Sequence, residues 1–418
     1  MPETWYKVDN VAKVFLASVN QRDPRVFRVS CTLDEEIDPE RLSRALEQTA
    51  QENPQFQVTL HRGLFWHYFE STNLKPKVVP ETQLPCAMLY GPQLKNELLY
   101  RVSYYGSRIN VEMFHAISDG NGGMVFLKTL VHHYLQLQHP ELADVPGEER
   151  ASQGQADEDA FRKYYAASKA EGEKSAGPKK FFHLHGRKLP YDQSRFFEAH
   201  LSASQVLQKT RAMGVTITSY LAAAQMLAAY QEMPALERGK AISVSLPVNL
   251  RSYYGTDTTR NFFNSIRISW VFQGDETLES LAKGFDAKLR EALKDDRVKA
   301  RMDGFEKLEQ MPGVKPVPLV IKNAVVNLFN TLEVKKVTLT ISNMGRIPLQ
   351  KELQPYVKGF TAFCSSPTAF TTVSSYGDDL VLGTTWAFRS TDVLKNFYRR
   401  LSAEGLDITL YATEVDEE

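Results

Sequence analysis

The 418-residue chain has few cysteines, no excess of charge of either sign and no long run free of polar residues. Each shortage removes a class of protein. Its three cysteines, Cys31, Cys86 and Cys364, lie far apart with no CxxC pair, which argues against a disulfide framework or a structural zinc site. The 50 Lys and Arg balance 50 Asp and Glu, so the concentrated basic footprint of a nucleic-acid binder is missing. A local basic patch for one phosphorylated ligand stays open. Glu3, Lys7 and Asp9 occupy the N-terminus where a signal peptide would be apolar, and the expectation is a cytoplasmic protein. The longest uncharged stretch, Ala212 to Gln231, contains Gly214, Thr216, Thr218, Ser219 and Gln225. It reads as a capped, buried helix and not as a membrane span. There is no GxGxxG, no P-loop and no repeat of solenoid length.

What is present is ordinary globular composition, 43% hydrophobic and 24% charged, in a chain long enough for two large halves. After a mixed segment from Trp5 to Phe15 comes an extended run, Val26 to Leu33. Asp38-Pro39 supplies an N-cap and a first-turn proline for a helix with Leu42, Ala45, Leu46 and Thr49 on one face. Phe56, Val58 and Leu60 alternate, turn at His61-Arg62-Gly63 and return through Leu64 to Phe69 as a hairpin. A second hairpin, Leu98 to Tyr105 and Arg108 to Phe114, turns at Gly106-Ser107 and runs straight into His115. The glycine-rich loop of residues 119–123 leads into an amphipathic helix. Residues 141–180, rich in Glu, Asp, Lys, Ala, Gly and Ser, read as a mobile excursion or short outer helices.

The second half begins near Phe196, so the boundaries are 1–190 and 191–418. Helical patterns cover Ser204 to Met213, Thr218 to Gln231, Leu278 to Leu308 and Val317 to Thr331. Strands are expected at Ile242 to Pro247, Ser265 to Phe272, Val337 to Ile341, Phe360 to Cys364, Ala369 to Ser375 and Leu380 to Trp386. A closing helix over Val393 to Leu401 precedes a short strand near Ile408. Strands paired through hairpins and mixed with long helices favour α/β sandwich halves over a doubly wound parallel sheet.

The segment with the most chemistry is His115-Ala116-Ile117-Ser118-Asp119-Gly120. A strand delivers an imidazole, whose ordinary pKa lies near neutrality, to a loop crowded with Gly120, Gly122 and Gly123. Those glycines read as positions for close approach of a ligand or for positive φ. Asp119 either orients the histidine or anchors the loop elsewhere. A lone histidine near Asp-Gly would more readily be a satisfied side chain in a tight turn. The full spacing, set between an amphipathic strand and a helix, favours a site. Five other histidines, His132, His133, His139, His183 and His185, form no ligand set with a carboxylate or thiol, and no metal is expected.

This segment resembles the HxxxDG motif of the chloramphenicol-acetyltransferase-like superfamily, which includes peptide-synthetase condensation domains, plant BAHD acyltransferases and polyketide-associated acyltransferases. Leu246-Pro247-Val248-Asn249-Leu250-Arg251, then Asn261-Phe262-Phe263-Asn264, is similar to a second-half strand and loop of those proteins. Ser342-Asn343-Met344-Gly345 resembles their segment beside the acyl-donor channel. The opening, Lys7-Val8-Asp9-Asn10 to Leu64-Phe65-Trp66, resembles bacterial alcohol acetyltransferases. The Asp-Phe-Gly-Trp-Gly segment of the plant enzymes is absent, so their donor contacts do not transfer.

The resemblance implies two chloramphenicol-acetyltransferase-like halves with a tunnel between them and His115 at its middle. It implies transfer of a short acyl group, acetyl above all, from CoA to an alcohol or amine in a ternary complex. His115 would be the general base, and Asp119 would form a structural ion pair with Arg251. Oxyanion donors would come from backbone around Gly120 or from the Asn343 amide. Asn249, Ser342, Asn343 and Gly345 are the expected substrate- and donor-binding residues, and Lys335, Lys336 and Arg346 are candidates for CoA phosphates. Acetyl-CoA or another acyl-CoA is a co-substrate, with no bound cofactor. A carrier-protein thioester as donor, or a silent binding protein of the same fold, are the alternatives. A monomer is expected.

Overall fold

In a computed structural model, residues 5–148 except 92 and 95, 152–164, 178, 180–294 except 191 and 192, 297–298 and 317–413 are described. The sequence's alternating strands and capped helices become two α/β layered halves. In the first, Asp38 accepts hydrogen bonds from the N–H groups of Glu40 and Arg41 and starts helix Pro39–Glu52. That helix and helix Gly120–Gln138 lie side by side on a five-stranded sheet. Across the sheet the order is Val357–Cys364, Val26–Leu33, Arg108–Phe114, Tyr100–Tyr105, Val78–Pro80. Val29, Val102, Ile109, Val111 and Met113 are buried there.

The second half is built on seven strands, in the order Phe263–Trp270, Ile242–Asn249, Leu339–Arg346, Ala369–Tyr376, Asp379–Trp386, Arg195–Ser202 and Thr409–Ala412. Strand Leu339–Arg346 runs parallel to both neighbours, and the other pairings are antiparallel. Helix Ile217–Gln231, capped by Thr216, is buried from Ser219 to Ala229. No single helix among the described residues is long and apolar enough to cross a membrane; the bent pair Ala203–Met213 and Ile217–Gln231 passes that test only when taken together. A three-stranded sheet of Trp5–Lys7, His67–Ser71 and Val58–Arg62 completes the fold.

Several expectations need adjustment. Strand Val357–Cys364 pairs with Val26–Leu33, so the chain crosses from the second half to close the first half's sheet. The first hairpin turns through residues 63–66, later than expected. Helix Leu278–Ala292 is shorter than the pattern Leu278 to Leu308, whose far end lies outside the described residues. Strands begin at Phe263 and Leu339, each displaced by two residues from its expected start. The described part of the 141–180 stretch holds two short helices, Gln153–Ala156 and Ala160–Tyr164, the second of the two readings, and they are docked on the second half. Ala160 and Phe161 are buried against Leu250 and Phe262, and the Ala156 carbonyl accepts from Thr259 N–H at 2.8 Å. Two apolar residues and a few backbone hydrogen bonds suffice to dock a segment whose average composition is polar. The stretch around 165–177 lies outside the described residues.

Candidate active site

Strand Arg108–Phe114 pairs with Val26–Leu33 as far as Phe114, and one further bond, His115 N–H to the Arg25 carbonyl at 2.7 Å, carries the pairing to the histidine. The ring sits among three aromatics, with centroids 4.5 Å from Phe15, 4.9 Å from Phe27 and 5.9 Å from Phe263. Nδ1 lies 3.0 Å from the Ser118 carbonyl and 3.3 Å from Asn261 Oδ1. Both are acceptors, so Nδ1 carries the hydrogen and the lone pair is on Nε2. Nε2 has no hydrogen-bond partner among the described residues, and it is not among the side-chain nitrogens sealed away without one. Burial lowers the His115 pKa below the usual imidazole value, against the opposing pull of the Asp119 charge and the Asn261 hydrogen bond. The ring is therefore neutral at neutral pH, with its basic nitrogen free of any hydrogen bond among the described residues.

Asp119 makes no hydrogen bond to His115. It is the N-cap of helix Gly120–Gln138, its Oδ1 accepting from Asn121 N–H and Gly122 N–H at 3.1 Å each. Arg251 meets it end-on across the two halves, Nη1 to Oδ2 at 2.9 Å and Nη2 to Oδ1 at 3.0 Å. Phe262 N–H adds a further bond to Oδ2 at 3.0 Å. The guanidinium's other hydrogens go to the Thr258 carbonyl, the Arg260 carbonyl and Asn249 Oδ1. Asn249 thus spends its side-chain oxygen on Arg251, which fixes the Arg and leaves that atom unavailable to a substrate. Both members of the ion pair are buried.

The glycines work differently from the expectation. Gly120, Gly122 and Gly123 form the first turn of a helix, and none has positive φ. A Cβ on Gly122 would lie 2.1 Å from the Thr259 carbonyl oxygen and 2.2 Å from Ser118 Oγ, and one on Gly123 2.4 Å from the Phe27 ring. Gly122 lets the helix start press against the opposite half, where Ser118 Oγ donates to the Thr259 carbonyl at 2.7 Å, and Gly123 lets it press onto Phe27 of its own sheet. A Cβ on Gly120, in contrast, would meet only the Met344 methyl group at 3.5 Å, an ordinary contact. Gly122→Ala is expected to lower stability by about 1–3 kcal/mol through overpacking. A thermal melt checks it, with Gly120→Ala as the milder control.

Ser342, Asn343 and Gly345 lie inside strand Leu339–Arg346, at a bulge between Asn343 and Gly345 where Gly345 takes φ +73°. Asn343 Nδ2 donates to Thr218 Oγ1 at 2.8 Å and its Oδ1 accepts from Gly345 N–H at 2.8 Å, so both ends of the amide hold the bulge. With Asn121 and Gly122 N–H committed to Asp119, and Gly123 N–H to the Asp119 carbonyl, Gly120 N–H is the remaining donor of that helix turn. Lys336 is paired with Glu333. Met344 links the bulge to Gly120.

The sequence reading named Asp9, Phe15 and Asn261 only within longer segments and gave none of them a role. Asp9 caps helix Asn10–Ser18, accepting from Ala12 N–H at 2.7 Å, and that helix carries Phe15 over the imidazole. Burial pushes the Asp9 carboxyl up to about 7. The Asp9-Asn10 step before an apolar run is a capping signal that could have marked the helix. Beside this turn, a small crevice is lined by Tyr6, Asp9, Gln55, Val58, Ala116 and Arg260 among others.

No family model matches the chain, and neither does any curated protein. Solved structures do. The first condensation domain of the calcium-dependent antibiotic synthetase, in complex with a substrate analogue, is similar at TM-score 0.63 and 16% identity, covering 96% of each chain. This is the condensation-domain fold. The same two-lobed, chloramphenicol-acetyltransferase-like arrangement is found in TRI101 of F. sporotrichioides, complexed with coenzyme A and T-2, at TM-score 0.63 and 10% identity over 97% of this chain and 99% of that one. Polyketide synthase associated protein 5 from Mycobacterium tuberculosis matches at TM-score 0.60 and 15% identity, over 94% and 96%. Coverage this complete means that both halves of the condensation-domain fold are present here.

Proposed function

We propose that the chain is an acyltransferase that moves a short acyl group, acetyl foremost, from acyl-CoA to an alcohol or amine. One observation carries this reading: His115 is held with Nδ1 as donor, leaving a neutral, unoccupied Nε2 between the two halves. In the reaction, Nε2 takes the proton of the acceptor's O–H or N–H as that atom attacks the thioester carbonyl. In this reading Gly120 N–H, the uncommitted donor of its helix turn, serves the oxyanion so formed. Collapse breaks the C–S bond, and the thiolate leaves with the proton returned from Nε2. No covalent acyl-enzyme is required. TRI101 with coenzyme A and T-2, on the same fold, supports a CoA donor and a small-molecule acceptor. Acyl-CoA is then a co-substrate and not a resident cofactor. A cytoplasmic monomer is part of the same reading.

Thiolate release from acetyl-CoA with a panel of alcohols and amines tests the proposal. Release only from an acyl-pantetheine carrier would move the donor to a carrier protein, and no release with any donor would overturn the enzyme reading. The lowered His115 pKa fixes the pH dependence. Protonation silences the base, so kcat/KM is expected to stay flat through neutrality and to fall only below about pH 6.5, the ordinary imidazole value. An acid limb above 7 would contradict it.

A further inference from the structure

We infer that Asn261 is a positioning residue that imposes the His115 tautomer from the opposite half of the molecule. The inference rests on the reading of His115 as the base. Asn261 is 1% exposed. Its Nδ2 donates to the His115 carbonyl at 2.8 Å and reaches Asp9 Oδ2 at 3.4 Å. The His115 carbonyl can only accept, which fixes the orientation of the amide and turns Oδ1 toward the ring. Nδ1 therefore faces two oxygens, Asn261 Oδ1 and the Ser118 carbonyl. The other tautomer would set a nitrogen lone pair against both of them. That arrangement is unfavourable in a buried setting where no water replaces the lost bond.

The neighbouring residue makes the placement informative. Asn261 reaches the base, while the backbone N–H of Phe262 reaches Asp119 Oδ2. Two successive residues of one loop thus hold the histidine and the anchor of its loop separately. Through Asp9 the same amide touches the cap of helix Asn10–Ser18, which lays Phe15 on the ring. Displacement of the amide would free the ring's orientation and its aromatic cover together.

The experiment uses full-length protein labelled with ¹⁵N-histidine, with His115 resonances assigned by comparison with His115→Ala. Wild-type His115 should titrate as the Nδ1–H tautomer. Asn261→Ala leaves Nδ1–H to the Ser118 carbonyl alone, so a minor Nε2–H tautomer should become visible, the His115 pKa should fall, and kcat should drop by about 10- to 100-fold with KM little changed. Asn261→Asp keeps the side chain's size and its acceptor but adds charge, so the His115 pKa and the acid limb of kcat/KM should move up. Opposite shifts in the two variants are outside what a merely structural amide would give. Folded variants in which neither tautomer nor pKa moves would overturn the inference, as would loss of the fold in both. If wild-type protein transfers no acyl group, the resonances still read the tautomer, so failure of the proposed function and failure of this inference are told apart.

Discussion

Replacing His115 by alanine is expected to reduce acyl transfer by a factor of roughly 10²–10⁴, the contribution of a positioned general base. The prediction follows from how little else the site offers. Ser118 Oγ is committed to the Thr259 carbonyl. The cysteine thiols are held above their ordinary pKa by burial, Cys31 and Cys364 among them. Asp119 is committed to an ion pair and a helix cap. With the imidazole gone, none of these groups is free to take the acceptor's proton. Stability should change less. The lost ring leaves a gap between Phe15, Phe27 and Phe263, within the ordinary range of about 0.5–3 kcal/mol for one substitution. Thiolate release measured at saturating acyl-CoA, with circular dichroism as the fold check, decides the matter. Wild-type turnover in a folded His115→Ala protein would remove His115 from the mechanism.

Some of this was legible in the sequence for physical reasons. A strand that alternates up to Phe114 must end near His115, because the hairpin turn at Gly106-Ser107 sets its register. Asp38-Pro39 and Thr216 carry their helix starts in their own chemistry. Strand Val357–Cys364 shows the limit. Its apolar residues would suit either sheet, and only packing between distant segments decides that it joins the first. The glycines show another. Residue type alone told of a tight spot at 122 and 123, yet whether ligand or protein filled it depended on Thr259 and Phe27, far away in the chain. Asn261 was hidden for the same reason, since its role exists only when residues 146 positions apart meet.

Removing the Asp119 carboxylate is expected to be the most destabilising single change at the site, costing about 3–5 kcal/mol as Asp119→Ala. Five donors lose their acceptor at once: two Arg251 nitrogens, Phe262 N–H and the N–H groups of Asn121 and Gly122 in the capped turn. The reverse change, Arg251→Ala, should cost less, because the carboxylate keeps its three backbone donors while only the guanidinium's bonds to Asp119, Asn249 and the carbonyls of Thr258 and Arg260 disappear. Equal melting temperatures in the two variants would contradict that asymmetry. The double variant should be less unstable than the sum of the singles, since no unpaired buried charge is left behind. Activity will fall in each through the displaced loop, and pH separates loop from base. The Asp119 charge raises the His115 pKa from a distance, without a hydrogen bond, so a folded Asp119→Asn protein should show its acid limb at lower pH while keeping the Nδ1–H tautomer. A change of tautomer in that variant would mean that Asp119 orients the histidine directly, which the geometry does not show.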